Sequence, residues 1–214
     1  NKYEYLVMVT NKGTIKKTAL ADFANVRRSG LIALKLREDD FLKWVRPSGG
    51  HDDIFLVTRG GQAIRFKESG VRAMGRSASG VRGIKLRSTD EVIGMDVVEP
   101  ALVKKNVLEL LVVSEHGLGK RSVISEYKVQ GRGGSGIKTL SITNKTGKIV
   151  SAHVINKAKP MDLLLISVNG QVVRTPLKTI STLGRATQGV RIMRFKEEGD
   201  SVASIALLDV VEED

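Results

Sequence analysis

The chain has no cysteine, four prolines and one tryptophan, and only 4% of its 214 residues are aromatic. Without cysteine there are no disulfides and no thiolate metal sites, and a reducing cytoplasm is the natural setting. So few rings argue against recognition of single strands by base stacking. No run approaches the roughly 20 apolar residues of a membrane-spanning helix, and the N-terminus carries no secretory signal pattern. His51, His116 and His153 stand apart without ligand spacing, so no metal centre is expected. Acids are scarce as well: 23 Asp and Glu face 35 Lys and Arg, a net charge of +12. Four of those acids (Asp209, Glu212, Glu213, Asp214) crowd the last six residues, where they read as a solubilising end. The rest of the chain is therefore more basic still. Such an excess favours an extended polyanion as partner, usually nucleic acid or an anionic membrane surface. The chain enters a strand-like run at Tyr5 to Val9 almost at once, as an excised piece of a longer protein would.

What the sequence does contain is a repeat. Gly13, Gly61, Gly117 and Gly170 lie 48, 56 and 53 residues apart, and Gly30, Gly80, Gly136 and Gly189 follow at 50, 56 and 53. A period near 50 residues signals blades, arrays or solenoids. Each unit reads as four short strands rich in β-branched and large apolar residues, too short for helices. The first strands are Tyr5 to Val9, Ile54 to Val57, Val107 to Val113 and Leu163 to Ser167. The first glycine of each unit opens the second strand. The third strands follow the second glycines, as Leu31 to Leu36, Val81 to Leu86, Ile137 to Ile142 and Val190 to Phe195. The last run from Phe41, Glu91, Lys148 and Ser201. The expectation is an all-β, propeller-like fold of four roughly 50-residue, four-stranded blades, covering about 1–50, 51–103, 104–158 and 159–214.

The repeat also delivers cations in register. Lys17, Arg65, Arg121 and Arg174 recur at one position, with Lys16 and Lys120 beside two of them. A loop follows with one apolar plug (Phe23, Val71, Tyr127, Ile180), read as core, as is Trp44. Then come Gly75-Arg76, Gly131-Arg132 and Gly184-Arg185, with Arg27-Arg28 in repeat one. Glycine frees the backbone near a partner, and arginine forks onto phosphates. Arg82, Lys138 and Arg191 form a third set, broken by Ile32, and Arg72 adds to the loop of repeat two. Cations repeated on a radial fold share one rim, and contacts from such a rim to phosphate would carry no sequence information.

Two spellings imitate phosphate-binding motifs. Gly131 to Gly136 satisfies G-x-G-x-x-G, but that motif must open a helix and a strand follows here. Gly117-Leu118-Gly119-Lys120-Arg121-Ser122 lacks the leading glycine of a phosphate-binding loop, since Ser114 stands in its place. No nucleophile–base set is visible.

The segment Arg65 to Arg76, followed by Gly80-Val81-Arg82-Gly83-Ile84-Lys85-Leu86, resembles one blade of the C-terminal domains of DNA gyrase A subunits. Lys17-Thr18-Ala19-Leu20, Gly119-Lys120-Arg121 with Glu126-Tyr127, and Gly184 to Val190 match the same pattern, so the resemblance spans the chain. It implies a β-pinwheel, whose blades exchange strands, with DNA bent around a basic rim. That wrap presents DNA to the enzyme's gate with positive handedness, and ATP-driven strand passage introduces negative supercoils. It implies no catalysis and no cofactor in this domain. The cleaving tyrosine and the ATPase site, with ATP and Mg, belong to the rest of the gyrase A subunit or to the gyrase B subunit, in the bacterial cytoplasm near the nucleoid. No membrane partner is implied. The family's Gln-Arg-Arg-Gly-Gly-Lys-Gly box is absent from the start; Gln130-Gly131-Arg132-Gly133-Gly134-Ser135-Gly136 is its nearest match, short of one arginine and the lysine. The alternatives are a propeller that docks an acidic protein, or the equivalent domain of topoisomerase IV.

Overall fold

The computed structural model describes residues 2–210, so Val211 to Asp214 of the acidic end lie outside it. Repeat one supplies β1 (Tyr5–Thr10), β2 (Thr14–Ala19) and β3 (Leu42–Ser48). Repeat two supplies β4 (Asp53–Thr58), β5 (Gln62–Lys67), β6 (Val81–Arg82) and β7 (Val92–Val98). From repeat three come β8 (Leu108–Ser114), β9 (Leu118–Val123), β10 (Val129–Gln130), β11 (Ile137–Lys138) and β12 (Ile149–Asn156). Repeat four provides β13 (Met161–Ser167), β14 (Val172–Pro176), β15 (Val190–Arg191) and β16 (Val202–Asp209). Helix is limited to 3-10 turns after each hairpin and to Pro100–Lys104. None of the described helices is long and apolar enough to cross a membrane.

The chain is all-β and propeller-like, and its sheets are not self-contained. Their orders are β3-β1-β2-β6, then β10-β5-β4-β7 with β11 also on β5, then β12-β8-β9-β15, and finally β14-β13-β16. Thus β6, β11 and β15 each leave their own repeat and pair with the second strand of the preceding one. This strand exchange is the β-pinwheel arrangement. It corrects two details of the expected strands. The exchanged strands are two residues long rather than six, and Leu31 to Leu36 is not a strand at all. Among the described residues no strand pairs with Leu31 to Leu36, and Ile32 and Leu36 are exposed. The sheet of repeat four has three members among the described residues.

The landmark glycines record the same logic. Gly80, Gly136 and Gly189 adopt φ of 85°, 73° and 81°, a region that L side chains avoid. A Cβ on them would lie 2.6 Å from the Ile15 carbonyl oxygen, 2.6 Å from that of Ala63 and 2.7 Å from that of Gly119. Each glycine therefore lets the exchanged strand press against the previous hairpin. Gly30 has a similar φ of 76°, yet a Cβ there would meet nothing within 4 Å.

Two compact units result, each with its own core. The first comprises Asn1–Thr58, Ala63–Ala101 and Lys128–Ile137; the second comprises Arg59–Gln62, Leu102–Tyr127 and Lys138–Asp214. In the first, Val7, Ile15, Ile54, Leu56, Ile64, Phe66 and Met95 pack together, with Trp44 half-buried against them. In the second, Leu111, Val113, Leu163, Leu165, Ile180 and Met193 do so. Three of the four loop plugs are buried: Val71 and Ile180 join these interiors, and Tyr127 is enclosed with its hydroxyl 2.5 Å from Thr139 Oγ1. Phe23, expected as the plug of repeat one, is only half-buried.

The glycine contacts predict unequal substitutions. Gly80→Ala combines a positive φ with a backbone clash and should destabilise by about 2–4 kcal/mol, whereas Gly30→Ala meets only the φ strain of about 1 kcal/mol. Urea denaturation of the two variants checks this, and equal losses would contradict the packing role assigned to Gly80.

Candidate nucleic-acid interface

The first set of in-register cations is not where a rim would put it. Lys17 and Arg65 are only 6% and 7% exposed, and the Arg121 side chain is 14% exposed. In each case the loop of the following repeat lies across the cation's own strand. Parallel pairings join Lys17 to Ala73, Arg65 to Val129 and Arg121 to Thr182. The Arg174 side chain, by contrast, is 59% exposed. The expected phosphate contacts of Lys17, Arg65 and Arg121 are therefore corrected: these charges face inward because the next repeat is laid over them.

Each covered charge has an internal partner. Arg65 Nη2 lies 2.6 Å from Asp53 Oδ2, Arg121 Nη1 lies 2.9 Å from Glu109 Oε2, and Arg174 Nε donates to Asp162 Oδ2 at 2.7 Å. In all three the acid stands twelve residues before the arginine. The hairpin register explains the spacing. Asp53 faces Lys67 and Phe55 faces Arg65, so Asp53 and Arg65 are diagonal neighbours on one face. Repeat one has Tyr5 at the acid's position. Lys17 Nζ there lies 4.7 Å from the centre of the Tyr5 ring and 3.3 Å from Glu68 Oε1, whose side chain is fully buried. The acid–arginine spacing was legible in the sequence and identifies Asp53, Glu109 and Asp162 as partners that the search for basic residues overlooked.

Lys16 and Lys120 are fully buried too, and they work on the loops. The Lys120 ammonium donates to the carbonyls of Gly184 and Arg185, both at 2.7 Å, and to Thr187 Oγ1 at 3.2 Å. Lys16 bonds the carbonyls of Ala33 and Arg76 in the same manner. Burial, reinforced by the nearby Arg185 charge and opposed by Glu126, pulls the Lys120 pKa down to about 8. Burial lowers that of Lys16 as well. Both are corrected from phosphate ligands to struts that hold a Gly-Arg loop of the following repeat.

The loop arginines they support remain accessible. Arg132 is exposed, with Nε donating to the Gly70 carbonyl at 2.9 Å and Nη1 to the Arg82 carbonyl at 2.5 Å. Arg185, half-buried, repeats this clamp one unit later: its Nη1 donates to the Lys138 carbonyl at 2.8 Å. Both guanidinium groups are thus oriented by backbone oxygens, and neither forms an ion pair with a carboxylate among the described residues, although Glu126 accepts from the Arg185 backbone N–H at 2.9 Å. Arg76 is half-buried, and Arg27, Arg28, Arg72, Arg82, Lys138 and Arg191 are exposed. Gln130 is half-buried on β10, and its Nε2 is enclosed without a hydrogen-bond partner among the described residues. Gln130, counted among the expected DNA contacts through the glycine-rich box, is thus only partly accessible.

Comparison with known proteins decides the family. A family model described as DNA gyrase C-terminal domain, beta-propeller, matches residues 4–48, 52–99, 108–156 and 162–209, one match per repeat. The chain belongs to the DNA gyrase C-terminal domain family. The DNA gyrase A subunit of Staphylococcus aureus (strain MRSA252) is 41% identical over 194 residues, which cover 91% of this chain and 21% of that protein. The chain thus spans about a fifth of the length of the curated relatives it matches. Among solved structures, a DNA gyrase A C-terminal domain superposes with a TM-score of 0.80 at 27% identity, covering 97% of this chain and 67% of that one. The C-terminal domain of DNA topoisomerase IV shares the fold, with a TM-score of 0.85 at 24% identity over 96% of this chain and 62% of its own.

Two predictions follow from the inward charges of this gyrase-type domain. Arg65→Ala strands Asp53 in the interior and should cost about 3–5 kcal/mol. The equivalent Arg174→Ala, at an exposed pair, should cost under about 1 kcal/mol. Urea melts that rank the two equally would refute the covering-loop account. Lys120 binds its proton less tightly folded than unfolded, so between about pH 8 and the ordinary lysine value of 10.5 the unfolded chain holds more protons. Its contribution to stability therefore rises with pH across that window. Lys120→Met should lose this rise and be less stable near neutrality, where the Arg185 carbonyl and Thr187 Oγ1 lose the ammonium's hydrogen bonds; denaturation at pH 7 and pH 9.5 measures both.

Proposed function

We propose that this domain binds duplex DNA through its phosphates and bends it, as the wrapping module of a gyrase. The observation that carries the reading is the state of the loop arginines. Arg132 and Arg185 are held by backbone carbonyls, and no carboxylate pairs with Arg28, Arg72, Arg76, Arg82, Arg132 or Arg185 among the described residues. Charges that are positioned but not neutralised suit a polyanion, and arginine's planar fork suits phosphate oxygens. The contact set comprises Arg27, Arg28, Arg72, Arg76, Arg82, Arg132, Lys138 and Arg185. Bending a short duplex by 40–90° requires on the order of 1–6 kcal/mol, so the load is spread over many such contacts.

In the whole enzyme the bent DNA is delivered to the strand-passage gate, and ATP-dependent passage introduces negative supercoils. This domain contributes binding without catalysis. Cleavage and ATP hydrolysis, with ATP and Mg as their requirements, reside in the remainder of the gyrase A subunit or in the gyrase B subunit, in the bacterial cytoplasm. The gyrase reading is preferred to topoisomerase IV on the 41% identity to a gyrase polypeptide. The acidic-protein alternative draws on exposed Val26, Ile32 and Phe41 in repeat one. Those three side chains lie in one irregular stretch, whereas loop arginines with no carboxylate partner recur across the repeats.

A series of duplex lengths and salt concentrations tests the proposal. Affinity should grow up to tens of base pairs, and roughly six phosphate contacts imply about a thousandfold loss between 50 and 200 mM salt. Affinity independent of length or of salt would overturn it.

A further inference from the structure

Two open hollows in the first unit share Arg37 and Arg82 in their walls. One is completed by Lys12, Lys85 and the β1–β2 turn, the other by Arg132 and Gly133. No acidic residue lines either hollow. Lys12, Arg37 and Lys85 are exposed and lie outside the in-register sets that the repeat itself advertises. Arg37 precedes a turn that is pinned to the hairpin: Asp40 accepts from Thr10 Oγ1 at 2.8 Å and from the Lys12 backbone N–H at 3.1 Å. The Asp40 carboxylate is thereby turned inward, buried and engaged. Arg132 spends its Nε and Nη1 on the Gly70 and Arg82 carbonyls, which orients its guanidinium at the second hollow. Gly80 and Gly133 complete that wall, with Gly133 packed against Arg82.

The second unit holds a natural control. Aligning Gly117 with Gly13 and Gly189 with Gly80 places His116 at the position of Lys12 and Arg191 at that of Arg82. The corresponding hollow is lined by Glu115, His116, Arg191, Phe195 and Asp200. Glu115 and Asp200 share that wall with Arg191. Glu115 is paired with Arg59 at 2.7 Å, and Asp200 accepts from the Asn169 and Ser201 backbone N–H groups. This hollow is therefore less cationic than its counterparts in the first unit, which gather Lys12, Arg37, Arg82 and Lys85.

The geometry points to the Arg37–Arg82–Arg132 hollows as a phosphate clasp, the place where the duplex backbone is gripped most tightly. This rests on the DNA-binding reading above, and it adds Lys12, Arg37 and Lys85 to the contact set while leaving Arg191 out. Arg132 orients the clasp, and Arg37 and Arg82 supply exposed donors from two sides.

The test compares Arg37→Gln/Arg82→Gln with Arg191→Gln in duplex binding across a salt series. A parallel titration with pyrophosphate follows arginine side-chain NMR signals. The substituted residues are exposed, so thermal midpoints should match the parent within a few degrees. The double variant should lose at least tenfold in duplex affinity and reduce the salt slope by about two contacts' worth, roughly 1.8. Arg191→Gln should change affinity less than twofold. Pyrophosphate should shift the Arg37 and Arg82 signals of the parent and leave Arg191 unmoved. If duplex is bound but all variants weaken alike, the clasp is wrong while the DNA reading stands. If duplex is not bound yet pyrophosphate shifts Arg37 and Arg82, the clasp stands as an anion site and the DNA reading falls. Pyrophosphate that leaves both signals unmoved overturns the clasp.

Discussion

Each repeat finishes its predecessor, and most of the structure depends on that one interaction. The exchanged strand after the second glycine pairs with the earlier hairpin, and the loop before it crosses the earlier cation-bearing strand. From this come the buried ion pairs, the close-approach glycines and the lysine struts. Where the exchange is not seen, the same positions stand apart: no strand pairs with Leu31 to Leu36 among the described residues, Gly30 touches nothing, and Arg174 is open to solvent.

The overlay divides the basic residues into two classes with different physics. Lys17, Arg65 and Arg121 sit where solvent is excluded, so their charges require partners in the fold, and Asp53, Glu68 and Glu109 provide them. Lys16 and Lys120 spend their donors on backbone carbonyls, those of Ala33 and Arg76 and those of Gly184 and Arg185. The loop arginines, carried on the same overlay, emerge at its outer side with their direction set by carbonyls and their charge intact. A scaffold that consumes one row of cations internally can thus present another row in a fixed orientation. Such preorganisation matters for bending, because a floppy lysine or arginine would lose side-chain entropy at every contact.

The units are not electrostatic copies. The charged residues lining the hollow beside the first landmark glycine are all cationic in one unit, while in the other they include Glu115 and Asp200. Repetition of the backbone therefore does not imply repetition of function.

From the sequence alone came the all-β class, the four-fold period, the hairpins and the plug residues. These rest on local chemistry: alternating apolar side chains, glycines at turns, and a spacing that recurs. The pairing of Asp53 with Arg65 was legible in principle, since hairpin register converts twelve residues into a diagonal contact. What sequence could not decide was which cations face water. That depends on which segment of the next repeat lies over each strand, a contact between residues some 60 positions apart. The same holds for Arg37, which belongs to no repeated set and becomes part of a basic hollow only when a buried Asp40 folds its turn against β1 and β2. Burial and convergence are properties of tertiary packing, and here they reassigned the most conspicuous row of cations from the surface to the interior.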